Sequence, residues 1–99
     1  MEKPKRRDRY IAFEVPEPRL GGAVAAALHE AVASWPPAER PHVLFLEGRR
    51  GLVRCGHRQK EEVVRLLNGI RVGSPSAAVR TVGASGTIRR ARMRYFVKP

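Results

Sequence analysis

The stretch RYIAFEV, residues 9–15, alternates between Ile11, Phe13 and Val15 on one side and Tyr10, Ala12 and Glu14 on the other. That period of two predicts a half-buried strand, and Pro16 and Pro18 end it. From Arg19 to Trp35 the period changes: Leu20, Val24, Leu28, Ala31, Val32 and Trp35 recur every three or four residues, with Ala27 beside Leu28. This is an amphipathic helix, stopped by Pro36 and Pro37, which have no amide to donate to its ladder. HVLFLEG (42–48) is a continuously apolar run, expected to be a central or covered strand. RGLVRCG (50–56) follows a turn at Glu47 to Arg50, a link of the length that joins antiparallel strands. HRQKEEVVRLLNGI (57–70) predicts a second helix, with Val63, Val64, Leu67 and Ile70 as its stripe. Glu61 and Glu62 lie in its first turns, where the helix dipole favours anions, and Asn68-Gly69 predicts a left-handed stop. Residues 71–76 are a Gly/Ser/Pro loop, AAVRTVG (77–83) is a fourth strand, and SGTIRRARMRYF (85–96) ends in a short helix.

The order is β-α-β-β-α-β plus a terminal helix. Two βαβ halves with right-handed crossovers predict an α+β, ferredoxin-like fold: a four-stranded antiparallel sheet with both long helices on one face. A basic leader, residues 1–8, is expected to be flexible, and residues 9–99 to form one domain. Trp35 and Cys55 read as core. The open sheet face and the small, uncharged stretch Ala23 to Ala27 of the first helix are the expected protein-interface surfaces.

Charge changes the picture. Twenty Lys and Arg against nine Asp and Glu give a net charge of +11 on 99 residues. So large an excess repels itself and points to a polyanionic partner. An anionic membrane would want a long helix with basic and apolar faces, and the first helix is nearly uncharged. That leaves nucleic acid. One cysteine forms no internal disulfide and fits a reducing, cytoplasmic setting. No apolar run reaches the roughly 18 residues of a membrane span. His29, His42 and His57 fall on different elements without ligand spacing, and Asp8 is the one aspartate, so neither a metal site nor a catalytic triad is expected.

The fold alone decides nothing about function. RNA-recognition-motif domains share this order and stack bases on aromatics of strands one and three. Arg50-Gly51 opens the third strand as that motif requires, but the stacking positions hold Leu52, Arg54 and His57, and on strand one only Tyr10 faces out. Charge and shape must then carry RNA binding, through phosphates. Acylphosphatases, of similar size and order, use a glycine-rich phosphate loop after strand one. PEPRLGGAV has Arg19 and a glycine pair there, but its prolines and residue order are wrong.

VRTVGASGTIRRARMRYF (79–96) closely resembles the C-terminal signature of ribonuclease P protein component 2, the archaeal relative of a subunit shared by eukaryotic RNase P and RNase MRP. The family's Gly-x-Ser-Gly-Thr-Ile-Lys/Arg-Arg-Ala/Leu-Arg run is matched from Gly83 to Arg92. RYIAFEV resembles the family's first strand, and GLVRC its strand with a Val-Arg-Cys core. The likeness runs over roughly residues 9–96. The chain is shorter than typical members at the tail and around SWPPAERPH.

The resemblance implies a subunit of an endoribonuclease that removes the 5′ leader of precursor tRNA. The RNA subunit is the catalyst and holds the Mg2+, so this chain needs no cofactor and no catalytic residue. The implied partners are RNase P RNA, protein component 3 and, within the complex, a second copy of the chain, with precursor tRNA as the substrate of the whole. A ribosomal-type protein that binds structured RNA without any part in cleavage is the competing reading.

The candidate RNA-binding residues begin with the terminal motif. Ser85 or Thr87 is expected to cap the helix, and its free amides to attract an anion. Gly83 and Gly86 are expected to allow tight turns and close approach to a phosphate. Arg89 and Arg92, and Arg90 and Arg94, form two neighbouring basic ridges, while Ile88, Ala91 and Tyr95 form the face that docks. Lys5, Arg6, Arg7 and Arg9 of the leader and Arg49 and Arg50 of the strand turn complete the set.

Overall fold

The computed structural model describes residues 7–73 and 77–96. Along them run β1 (Asp8–Glu14), α1 (Gly21–Ala31), β2 (His42–Glu47), β3 (Arg50–Gly56), α2 (Lys60–Gly69), β4 (Arg71–Val72), β5 (Ala77–Ala78), β6 (Arg80–Ser85) and α3 (Ile88–Tyr95). Short 3-10 turns at Pro18–Leu20 and Pro37–Glu39 flank α1. Four strands form one antiparallel sheet in the order β2-β3-β1-β6, so the first strand of the chain lies inside it. The arrangement is a mixed α and β fold, with three helices on a four-stranded antiparallel sheet.

The alternation of β1 sorts its side chains as expected. Ile11, Phe13 and Val15 join Val53 and Cys55 of β3 against Val24 and Leu28 of α1, Val32, and Val63 and Leu67 of α2, all buried. Trp35 packs half-buried at the edge of this core. The opposite face carries Ala12 and Leu52, which are also fully buried, because α3 lies over them through Ala91. Tyr10, Leu44, Phe45, Val82, Tyr95 and Phe96 surround that second, smaller core. The face expected to stand open is therefore largely occupied by the chain's own last helix.

This accounts for β2. Its unbroken apolar run reads as a central or covered strand; it is an edge strand, and a covered one. A register shift between Val43 and Phe45 divides its side chains. Val43 joins the larger core, and Leu44 and Phe45 the smaller one, so an edge strand is apolar on both faces because both faces are covered.

Other boundaries moved for local reasons. The first helix stops at Ala31, before the prolines, as Val32 closes it. The chain then turns with Trp35 N–H donating to Val32 O at 2.9 Å, and Arg40 donates to the carbonyls of Trp35 (2.9 Å) and Ala33 (2.8 Å). Arg40 thus satisfies acceptors that a longer helix would have used. The second helix ends at Gly69 without a left-handed residue, because Ile70 leaves directly in an extended conformation. The expected loop at 71–76 begins with β4, which pairs with β5, and residues 74–76 lie outside the described residues. The last strand starts at Arg80 and runs on to Ser85. A two-residue hairpin joins β2 to β3, with Glu47 opposite Arg50 and Gly48 at φ 59. A positive φ at the first loop position suits the right-handed twist of the strands it joins.

Gly51 is a point of close approach between sheet and side chains. A Cβ there would stand 2.6 Å from Phe13 Cε1 and 2.8 Å from Leu46 Cδ2. Overpacking of this kind costs about 1–3 kcal/mol. Gly51→Ala is expected to lower the unfolding free energy by that amount, read as a lower urea midpoint at an unchanged slope; an unchanged midpoint would show that Phe13 and Leu46 repack freely.

Candidate nucleic-acid interface

The terminal helix is built from its first residue onward. Thr87 is extended, at φ −140 and ψ 152, and its Oγ1 accepts the Arg90 N–H at 3.1 Å. This is an N-cap, which holds one of the amides a helix start leaves unpaired. Of the two expected caps, Thr87 performs the role; Ser85 is buried at the end of β6.

Ala91 then fits flush on Ala12 and Leu52. Tyr95, one turn later, lies over Gly83: a Cβ on Gly83 would stand 2.6 Å from Tyr95 Cζ. Neither Gly83 nor Gly86 has a positive φ. Gly83 leaves room for the close approach of Tyr95. The Tyr95 hydroxyl reaches Ala84 O at 3.5 Å. Ile88, expected on the docking face, remains 39% exposed.

Two of the arginines read as RNA contacts also make contacts within the protein, Arg92 from an exposed position and Arg50 from a half-buried one. The Arg92 guanidinium stacks over the Phe45 ring, 4.3 Å from its centroid, and Phe45 meets Phe96 edge-on at 4.9 Å. A cation over an aromatic face contributes roughly 0.5–1 kcal/mol at exposed sites. Arg50 donates from Nη1 to Tyr95 O at 2.7 Å and from Nε to Glu14 Oε2 at 3.1 Å. It places positive charge at the C-terminus of α3, where the helix dipole favours it. Arg80 approaches the other oxygen of Glu14 at 3.0 Å.

Glu14 is thus a carboxylate between two guanidiniums. The Arg50 hydrogen bond, reinforced by the charges of Arg50, Arg80 and Arg49, holds its pKa below the ordinary 4.5 against the opposing effect of burial.

What remains outward is a basic surface. Arg89, Arg90 and Arg94 are exposed on α3 and form no ion pair among the described residues. Arg49 is exposed at the hairpin tip, where its carbonyl accepts Val15 N–H at 2.8 Å. Arg7 is exposed, with its carbonyl accepting His57 N–H at 2.9 Å, and β1 begins at Asp8, one residue before the expected domain boundary. Lys5 and Arg6 lie outside the described residues.

Arg9, Ser85 and Gly86, scattered in sequence, come together with Lys60 and Ala84 around a shallow groove of about 260 Å³. Lys60 is a residue that sequence reasoning passed over; its signal was its place at the head of the second helix. Arg54 is another. It is exposed, and the strand register sets it between His42 and Tyr10. The alternation of β3 already placed it on the Leu52 side, where it read only as a missing aromatic.

No helix among the described residues is long and apolar enough to cross a membrane. Comparison of the chain with models of known protein families and with curated proteins gives no match.

The Glu14 cluster ties β1, β3, β6 and the end of α3 together, and its contribution depends on pH. A carboxyl group with a lowered native pKa stabilises the fold above its ordinary value and loses that contribution as pH falls through the native one. Glu14→Gln is expected to melt below wild type at neutral pH, with the gap closing as pH falls below 4.5 and through the lowered native value. Melting curves across that range measure it; a gap independent of pH would assign the loss to packing instead.

Proposed function

We propose that the chain is an RNA-binding protein subunit of ribonuclease P, built on a ferredoxin-like sheet. The observation that carries the RNA-binding reading is the division of charge on α3. Ala91, Tyr95 and Arg92 hold the helix down, while Arg89, Arg90 and Arg94 project from it with no acidic partner among the described residues. An excess of fixed, unpaired guanidiniums on a chain of net charge +11 suits a polyphosphate backbone.

The ferredoxin-like assignment is supported by the strand order β2-β3-β1-β6, antiparallel throughout, and by α1 and α2 sharing one face. The assignment to ribonuclease P is supported by the three stretches that resemble component 2. They fall on β1, on β3, and on β6 running into α3, elements that touch one another. In this reading the RNA subunit cleaves the 5′ leader of precursor tRNA with its own Mg2+. This chain holds that RNA by its phosphates and docks on protein component 3, with a second copy of the chain as a further partner in the complex. With α3 on the second sheet face, the exposed alanines of α1, Ala23 and Ala26 among them, are the better candidates for the protein contact.

The test is reconstitution with RNase P RNA and component 3, followed by cleavage of precursor tRNA. The protein alone is expected to cleave nothing and the complete assembly to gain activity. Binding to the RNA without any gain in cleavage would favour the ribosomal-type reading. Because Arg92 supports packing, the informative variant replaces Arg89, Arg90 and Arg94 by alanine. Its melting temperature is expected to stay near wild type, since exposed substitutions shift stability by only about 0.5 kcal/mol each. Its RNA affinity should fall, and the slope of log affinity on log salt should shrink by up to about one unit per lost contact. Normal RNA binding by this variant would refute the assignment.

A further inference from the structure

We infer that the groove between the start of β1, the head of α2 and the end of β6 is a seat for a single RNA backbone phosphate, separate from the arginines of α3. The inference rests on the RNA-binding reading and gives it a specific subsite. Arg9, Lys60, Ala84, Ser85 and Gly86 line the groove, and no acidic side chain is among them. Arg9 and Lys60 come from elements 51 residues apart in the chain (60 minus 9), so the fold itself brings the two cations together.

Both cations are constrained. Arg9 is half-buried in β1 opposite Cys55, and its Nη1 donates to Asp8 O at 3.1 Å. That bond uses one of five guanidinium N–H donors. Lys60 is half-buried as the first residue of α2. Neither forms an ion pair among the described residues. Two cations facing one groove repel each other, and an anion between them removes that cost.

The wall opposite is small. A Cβ on Gly86 would have one neighbour within 4 Å, Arg9 Nη1 at 3.9 Å. The missing side chain leaves the guanidinium edge open to a ligand, and this, not a turn, is what glycine provides at position 86. Ser85, 8% exposed, contributes the remaining polar side chain. The volume of about 260 Å³ and the shallow form suit a phosphate on a chain that continues past on both sides. Among the described residues no aromatic ring lines the groove to stack a base, so the contact is blind to sequence.

The first experiment titrates the protein with inorganic phosphate against chloride at constant ionic strength, followed by amide NMR shifts. Shifts centred on Lys60, Ser85 and Gly86 are expected, and their absence overturns the seat. The second compares salt dependence of RNase P RNA binding in three variants. Arg9→Gln/Lys60→Gln removes both cations. Gly86→Val removes no charge but fills the groove. Arg19→Gln/Arg71→Gln removes the same charge from exposed sites elsewhere.

Losing one phosphate contact reduces the salt slope by about 0.9, so between 50 and 200 mM salt the affected variants should lose about threefold less affinity than wild type. Both groove variants are expected to show this, and the Arg19/Arg71 control is not. Melting curves identify any variant that fails to fold, and the other groove variant then decides. If Gly86→Val binds RNA with the wild-type slope, the seat is wrong while the RNA-binding reading stands. If wild type binds no RNA at all, both fall.

Discussion

Ala12 and Leu52 stand on the sheet face turned away from α1 and α2, and neither has any exposure to water. Leaving a leucine bare there would forfeit roughly 1.5–3 kcal/mol of burial, in a domain whose single main core is modest. The last eight helical residues supply the cover. Their fit depends on smallness: Ala91 brings the helix axis close to the sheet, and Gly83 leaves room for the Tyr95 ring. Thr87 starts the helix at the right place, and Arg50 holds its final carbonyl.

Once the helix is fixed in this way, its arginines are no longer equivalent. Arg92 turns toward Phe45, while Arg89, Arg90 and Arg94 turn to solvent. The helix is too short to persist on its own in water, so the spacing of its outward charges is imposed by the sheet beneath. For the polyanionic partner proposed above, the helix backbone is then already ordered, and less backbone freedom is lost on contact. Arg50 serves the array indirectly, since its bonds to Glu14 and Tyr95 fix the surface from below.

The sequence made the larger elements readable because each carries one clean period. Ile11, Phe13 and Val15 could lie only on one face of a strand, and Val63, Leu67 and Ile70 only on one face of a helix. It did not reveal what the second face of the sheet would meet. Leu52 and Phe45 gave the hint, since apolar residues on both sides of a strand call for two covers, but a short, arginine-rich helix does not read as a lid. The site was partly legible for the same reason. The cap at Thr87 and the outward arginines follow from local spacing. The engagement of Arg50 with Glu14, 36 residues away, and the meeting of Arg9 with Lys60 depend on strand order, which no local pattern encodes. Gly83 was assigned a backbone role; its actual partner is a side chain twelve positions on (95 minus 83).

The position of β1 inside the sheet sets how the chain reaches its native state. Its two neighbours arrive late: Tyr10 pairs with Arg54 and then with Ser85, partners 44 (54 minus 10) and 75 (85 minus 10) residues further along. During synthesis the first strand emerges without a partner, and its outer neighbour leaves the ribosome only after α1, α2 and the strands β2 to β5 have been made. Closing such long loops is an entropic cost met before the contacts reward it, so the search for the native topology is slow compared with that of a helical protein of this length. Until β6 and α3 come into place, β1 keeps an unpaired edge and a bare apolar face, and over that interval the nascent protein is open to wrong partners.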